Sequence, residues 1–273
     1  SQLFELTTYK TTSLSKIDIM SGAMEYQIES PLDHGIEVRA WFPTILKDNN
    51  AFSRTIKITE GGRAYDEWDM SGYTINLVKN AIQFESEIKY YVDSEDDYLK
   101  FDSSNYIKAT FTNTDSLRFY YVEGNFGKDT VPIVKRADTI DLNKIFGETF
   151  KCDELVLKKL EVKLKFENTC GMGGRLDVNL MGEGMENNIV TEFFRNTSIN
   201  TILAPTNSNY GTGIPVEPAR SNILLEATDI DIGKDKIIFG VDGSMFTNPD
   251  IDLKVKNPNF IYHDSYVTLG VEA

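Results

Sequence analysis

Apolar and polar residues alternate along much of this chain with a period of two. In Met24-Glu25-Tyr26-Gln27-Ile28-Glu29 and in Leu160-Glu161-Val162-Lys163-Leu164-Lys165-Phe166, every second side chain is apolar and most of those between are charged. Successive side chains of a strand point to opposite faces, so this spacing predicts strands with one buried and one wet face. Similar runs at 36–40, 88–92, 117–121, 176–180, 251–255 and 267–271 predict further strands. Turn-forming pairs punctuate them: Ser21-Gly22, Gly61-Gly62, Gly173-Gly174, Asp242-Gly243, Asn248-Pro249 and Asn257-Pro258. Helical signal is confined to 185–195, read as a short helix, and to 141–146, read as one turn. Many short strands and few helices predict an all-β sandwich or barrel.

The pattern also repeats. The segment from Ile17 to Ser30 lines up without a gap on Leu155 to Asn168, an offset of 138 (155 − 17). Each then runs through a polar or glycine-containing turn into another alternating strand, at 36–40 and at 176–180. Further on, 88–93 resembles 237–242, and 102–111 resembles 264–271. The expected architecture is two tandem antiparallel β-sandwich domains related by internal duplication, over residues 1–130 and 131–273. The segment 129–138 mixes Pro132 with charges and reads as a short linker or an edge strand between the domains.

Composition narrows the function classes. The 273 residues carry 42 acids against 28 Lys and Arg, a formal net charge of −14, with a pI near 4.7. That field repels phosphate backbones, so nucleic acid is not an expected partner. No apolar run approaches the ~20 residues that cross a bilayer as a helix. The chain opens Ser-Gln-Leu-Phe-Glu-Leu, without a positive and then apolar leader, so any export signal or lipid anchor is expected to have been removed or to lie outside this stretch. The two cysteines, Cys152 and Cys170, lack zinc-site spacing. A hairpin at Lys158-Lys159 would bring Cys152 near Lys165 and away from Cys170.

Catalytic chemistry has little to stand on. The two histidines, His34 in a turn and His263 at the start of the last strand, sit in no nucleophile elbow, and no phosphate loop, dinucleotide fingerprint or His-Glu-x-x-His is present. Paired carboxylates of a glycan hydrolase are a spatial feature that 42 acids neither support nor oppose. A non-enzymatic role is expected. Asp229, Asp231 and Asp235 alternate along a stretch with Gly233, the way a loop begins to wrap Ca²⁺; a solvated strand end is the competing reading. Asp93 to Asp97 reads as a hydrated acidic loop. Tyr65, Trp68 and Tyr73, with acids between them, form the best candidate ligand patch, because an aromatic face stacks on sugar rings while carboxylates accept hydroxyl protons. Burial of Trp68 in the core is the alternative.

The run Leu155 to Asn168 ahead of a glycine-rich turn, then Ser221-Asn222-Ile223-Leu224, then Asn257-Pro258-Asn259-Phe260 before a closing strand, resembles large uncharacterised β-rich surface or periplasmic proteins of Bacteroidota. Tyr121 to Gly127 fits the same pattern. The resemblance implies an extracytoplasmic location, in the periplasm or at the cell surface, with attachment to or assembly at the outer membrane. It also implies that Ser116, Thr130 and Thr139, each in an Asp-Ser/Thr-aliphatic tripeptide, are O-glycan acceptors. The expected role is a structural or protein-interaction module whose partners are other envelope proteins. A carbohydrate-binding or adhesive module for glycans comes second, and a glycan hydrolase third.

Overall fold

A computed structural model of the chain describes residues 2–5, 13–32, 34–59, 62–91, 105–126, 129–141, 155–172, 174–183, 190–202, 205, 209–232, 236–247 and 259–272. These residues form eighteen β-strands and no helix. They fall into two compact units, Ser1–Asn125 and Phe126–Ala273. The division precedes β11 (Asp129–Asp141), a continuous strand paired along its length with β16 (Lys236–Thr247). A boundary after residue 130 would cut through that strand.

In the first unit, β2 (Ser13–Ser21) and β3 (Ala23–Glu29) are one run of chain bent at Gly22. The bend takes φ to +136°, and a Cβ there would lie 2.6 Å from Leu117 Cδ2 and 2.9 Å from Leu117 Cα. Only glycine fits both the dihedral and the space. The bend passes the chain from one sheet to the other. One sheet runs β1 (Gln2–Glu5), β8 (Ala81–Tyr90), β4 (Ile36–Lys47), β7 (Thr74–Asn76), β2 and β10 (Arg118–Asn125), with β5 (Asn50–Ile58) also on β4. The second runs β6 (Arg63–Asp69), β3, β9 (Lys108–Asn113). All recorded ladders are antiparallel.

Alternation fills the space between the sheets. β4 reads buried at Ile36, Val38, Ala40 and Phe42, with Arg39 and Trp41 facing out. Ile17, Ile19, Tyr26 and Ile28 from β2 and β3 meet Phe52, Ile56 and Ile58 from β5 in one apolar cluster. The β4–β5 hairpin turns on Asp48 and Asn49, with φ of 51° and 63°, the pair of positive φ values that a type I′ turn requires. Lys79 and Asn80 do the same ahead of β8, with φ of 52° and 63°. Neither turn contains a glycine, and neither stood out in the sequence.

In the second unit one sheet runs β11-β16-β13-β14 and the other β15-β12-β18, where β12 is Leu155–Asn168, β13 Gly174–Glu183, β14 Val190–Ile202, β15 Ala219–Ile232 and β18 Val267–Glu272. Val162, Leu164 and Phe166 on β12 are buried with Leu225 of β15. Three expectations fail here. Lys158-Lys159 is no hairpin: β12 runs straight through it, paired to β15 from Leu155 to Asn168. Asp242-Gly243 is no turn but lies within β16, opposite Lys135 and Val134. Residues 190–195 of the expected helix belong to β14. The rest of that helix, residues 142–146 of the expected turn, Asp93 to Asp97, the strand at 251–255, Asn248-Pro249 and Asn257-Pro258 lie outside the described residues.

The ladders of the two units can be compared rung by rung. Ile36 pairs with Ile58 and Tyr90; Gly174, at the same offset of 138 (174 − 36), pairs with Ile202 and Thr247. Glu29 pairs with Arg63 and Lys108; Glu167 pairs with Arg220 and Thr268. Phe111 and Val271 occupy matching rungs opposite Tyr26 and Leu164. The sequence match of 88–93 to 237–242 is out of register: Ile88 sits opposite Val38 as Met245 sits opposite Leu176. The turn after each first strand also matches. Ser30 Oγ accepts from Leu32 N at 3.3 Å and Asn168 Oδ1 accepts from Cys170 N at 2.9 Å, both side chains buried.

Two stability predictions follow from the bend and the core. Gly22→Ala is expected to cost about 1–3 kcal/mol, from the strained dihedral together with the contact on Leu117, read as a lowered urea midpoint. The Tyr26 hydroxyl is buried without a hydrogen-bond partner among the described residues, and burial pushes its pKa to about 12. Tyr26→Phe is therefore expected to stabilise the fold by about 1 kcal/mol. A loss of stability in that variant would mean that the hydroxyl has a partner.

Candidate functional site

The aromatic patch expected at Tyr65, Trp68 and Tyr73 does not exist as a surface. Residues 65 and 68 are three apart on β6, and a pleat of period two sends them to opposite faces. Tyr65 is 75% exposed, whereas Trp68 is 2% exposed, within 4.7 Å of the Phe52 ring and 5.2 Å of Tyr26. The Trp68 indole donates Nε1–H to Asp66 Oδ2 at 2.9 Å, so its polar atom is satisfied at the margin of the core. Tyr73 is half-buried, edge-on to Phe52 at 5.3 Å and capped by Lys47 Nζ 5.1 Å from its ring centroid. The core reading of Trp68 is the correct one.

The calcium reading needed a loop. Asp229 and Asp231 instead lie in the extended β15, where Asp231 pairs with Val156 and Ile230 with Leu157; Asp235 lies outside the described residues. No group of three His, Cys, Asp or Glu gathers for a metal among the described residues. Of the three expected O-glycan acceptors, Ser116 is exposed in the connection between β9 and β10. Thr130 and Thr139 lie in β11, paired with Phe246 and Ile238. His34 occupies the bend before β4. His263 is in a turn rather than opening a strand, with Nδ1 3.7 Å from Asp264 Oδ1. Cys170 is a free thiol, and burial raises its pKa; Cys152 lies outside the described residues.

The feature that sequence reading passed over is the second tryptophan. Trp41 lies on the outer face of β4, 42% exposed, between Glu85 of β8 and Ser53 of β5. The next rung of the same face is Glu87–Arg39–Thr55, and the one beyond is Lys89–Glu37–Lys57. An open hollow of about 220 Å³ is lined by Arg39, Trp41, Glu85, Ser86 and Glu87. The signal was present in β4 itself: in Ile36-Glu37-Val38-Arg39-Ala40-Trp41-Phe42 the alternation puts Trp41 in phase with Glu37 and Arg39, on the wet face.

This face has a closed end and an open end. At the closed end Glu37 accepts a hydrogen bond from Tyr91 at 2.8 Å, with Lys57 Nζ at 3.5 Å and Lys89 Nζ at 3.9 Å. The Tyr91 hydrogen bond, then the lysines, hold the Glu37 carboxyl below its ordinary range. At the open end, Gln83 Nε2 donates to Glu85 Oε1 at 3.0 Å. Among the described residues, Arg39 and Glu87 have neither ion pair nor hydrogen bond through their side chains. A stack-forming ring, the fork of donors of Arg39 and the carboxylate of Glu87 thus stand uncommitted around one hollow, where Glu85 already accepts from Gln83.

No family model matches the chain, and no curated protein matches it. Among solved structures, a chain from the structure of infectious bursal disease virus Gt strain aligns at 12% identity, over 97% of this chain, with a TM-score of 0.14. This chain spans 63% of that one, and at so low a score the likeness carries no argument. Among the described residues no helix is long and apolar enough to cross a membrane.

A lowered carboxyl pKa contributes stability that is present above the unfolded pKa and lost as pH falls through the folded one. Tyr91→Phe removes the leading cause, so Glu37 is expected to titrate closer to the ordinary glutamate value of about 4.3. Carboxyl-detected NMR titration reads the upward shift. An unmoved Glu37 would show that the lysines alone set it.

Proposed function

We propose that this chain is a non-enzymatic structural or protein-interaction module of the cell envelope, exported and held at or near the outer membrane, with other envelope proteins as partners. The observation that carries the reading is the outer face of β8-β4-β5. It places an exposed tryptophan at the centre of a three-strand platform, with uncommitted charges on one side. Tryptophan and arginine dominate the binding energy of protein contact surfaces, and a strand paired on both sides holds them in place before contact. The matching rungs of the two units support their descent from one ancestral unit. Adhesion through Tyr65, Trp68 and Tyr73 loses its surface with Trp68 in the core; the aromatic that supports a binding role is Trp41.

Fractionation of the source cells tests this. The chain is expected in the envelope fraction and, after mild detergent extraction, in a complex larger than its own 30.9 kDa. Trp41→Ala is expected to return it toward the free size while leaving the fold intact, because residue 41 faces out. Recovery from the cytosol as a free monomer would overturn the proposal.

A further inference from the structure

The geometry points to a saccharide-binding subsite in the hollow beside Trp41, taking a neutral pyranose ring stacked on the indole. This deepens the binding role proposed above and rests on it. The argument is one of chemistry matched against alternatives. A pyranose presents an apolar C–H face and a rim of hydroxyls that both donate and accept. The hollow presents an exposed indole for the first. For the second it offers the donors of Arg39 and the acceptors of Glu85 and Glu87. Because Arg39 and Glu87 make no side-chain hydrogen bond or ion pair among the described residues, a ligand does not have to break an existing one to reach them.

Other ligand classes fit less well. A phosphate or carboxylate ligand would face two glutamates against one arginine, on a chain of net charge −14. A cation over the indole would meet the Arg39 guanidinium on the adjacent rung. An extended peptide adding as a strand would pair along an outer edge, of β5 or of β8 beyond Phe84, and not along β4, which carries Trp41 and is paired on both sides across Ile36 to Trp41. The hollow of about 220 Å³ is below the roughly 300 Å³ at which drug-sized pockets begin, which suits one ring of a longer glycan. Backbone pairing on both sides also fixes the strand that carries the indole, so no main-chain ordering is required on binding.

The experiment uses the two tryptophans of the chain as reporter and control. Trp41 is exposed and open to acrylamide, whereas Trp68 is sealed. Chitotriose, maltotriose, mannotriose and galactobiose are added in turn to the full chain. At least one is expected to protect the red-shifted, quencher-accessible emission at about 10 mM or below. Its affinity, measured by calorimetry, is expected to fall roughly tenfold or more in Trp41→Ala and severalfold in Arg39→Met and Glu87→Gln. Tyr65→Ala, on another strand, is expected to leave it unchanged. Circular dichroism confirms that each variant is folded. Protection by none of the four sugars, or binding that survives Trp41→Ala, overturns the saccharide assignment. If the sugars fail while Trp41→Ala still shrinks the envelope complex, the interaction role stands and the ligand class alone falls; if both readouts are flat, both fall.

Discussion

The packing of rings around Trp68 is the constraint on which the first unit depends. Tyr26 from β3, Phe42 from β4, Phe52 from β5 and Phe111 from β9 all lie within 4.7 to 6.2 Å of its ring centroid. Tyr26 in turn stacks on Phe111 at 4.6 Å. Strands of both sheets therefore meet at one side chain. Each such ring pair contributes about 0.5–1.5 kcal/mol beyond the area it buries, and the geometry is specific enough to fix how the sheets face each other. A slip of one residue in β6 would eject Trp68 into solvent and bring Glu67 into the core, so the cluster also sets register.

Register in turn decides what faces out. With Phe42 turned inward to Trp68, residues 37, 39 and 41 must form the wet face of β4, and the pairing of β4 with β5 and β8 completes that face. The same alternation that builds the core builds the candidate site on its reverse side. The two ends of the face differ for a local reason. Glu37 has a cation on each neighbouring strand and a tyrosine hydroxyl within reach. Arg39, one rung on, has a carboxylate on one side and a threonine on the other, and its side chain engages neither. The first arrangement is self-satisfied; the second is available.

The two units match in strand pairing more than in residues. Ser30 and Asn168 differ in chemistry yet each receives the backbone N–H two residues on, closing the turn that leads into the second sheet. Gly22 bends the run β2-β3, while the corresponding stretch of β12 continues unbroken through Lys159 and Leu160. Pro132, which cannot donate to a ladder, sits on the edge strand β11 at a register shift between Pro132 and Val134. Edge position and bulge are where the sheet tolerates a proline. The matching rungs thus accommodate different residues wherever local hydrogen bonding can be met another way.

Strand identity was legible in the sequence because period-two alternation is a local property, set by which face of each strand is dry. The all-β class followed from it, as did the placing of β3, β4, β13 and β18. Turns were less legible: Asp48-Asn49 and Lys79-Asn80 reverse the chain without glycine, while Asp242-Gly243 continues a strand, because pairing partners overrode local preference. The choice between the two tryptophans was available in the phase of the alternation, where Tyr65 and Trp68 are out of step. The hollow beside Trp41 was not, since Glu85, Ser86 and Glu87 reach it only through the β4–β8 ladder. Which strands become neighbours depends on closing loops of tens of residues around a shared core, and only the folded chain makes that decision.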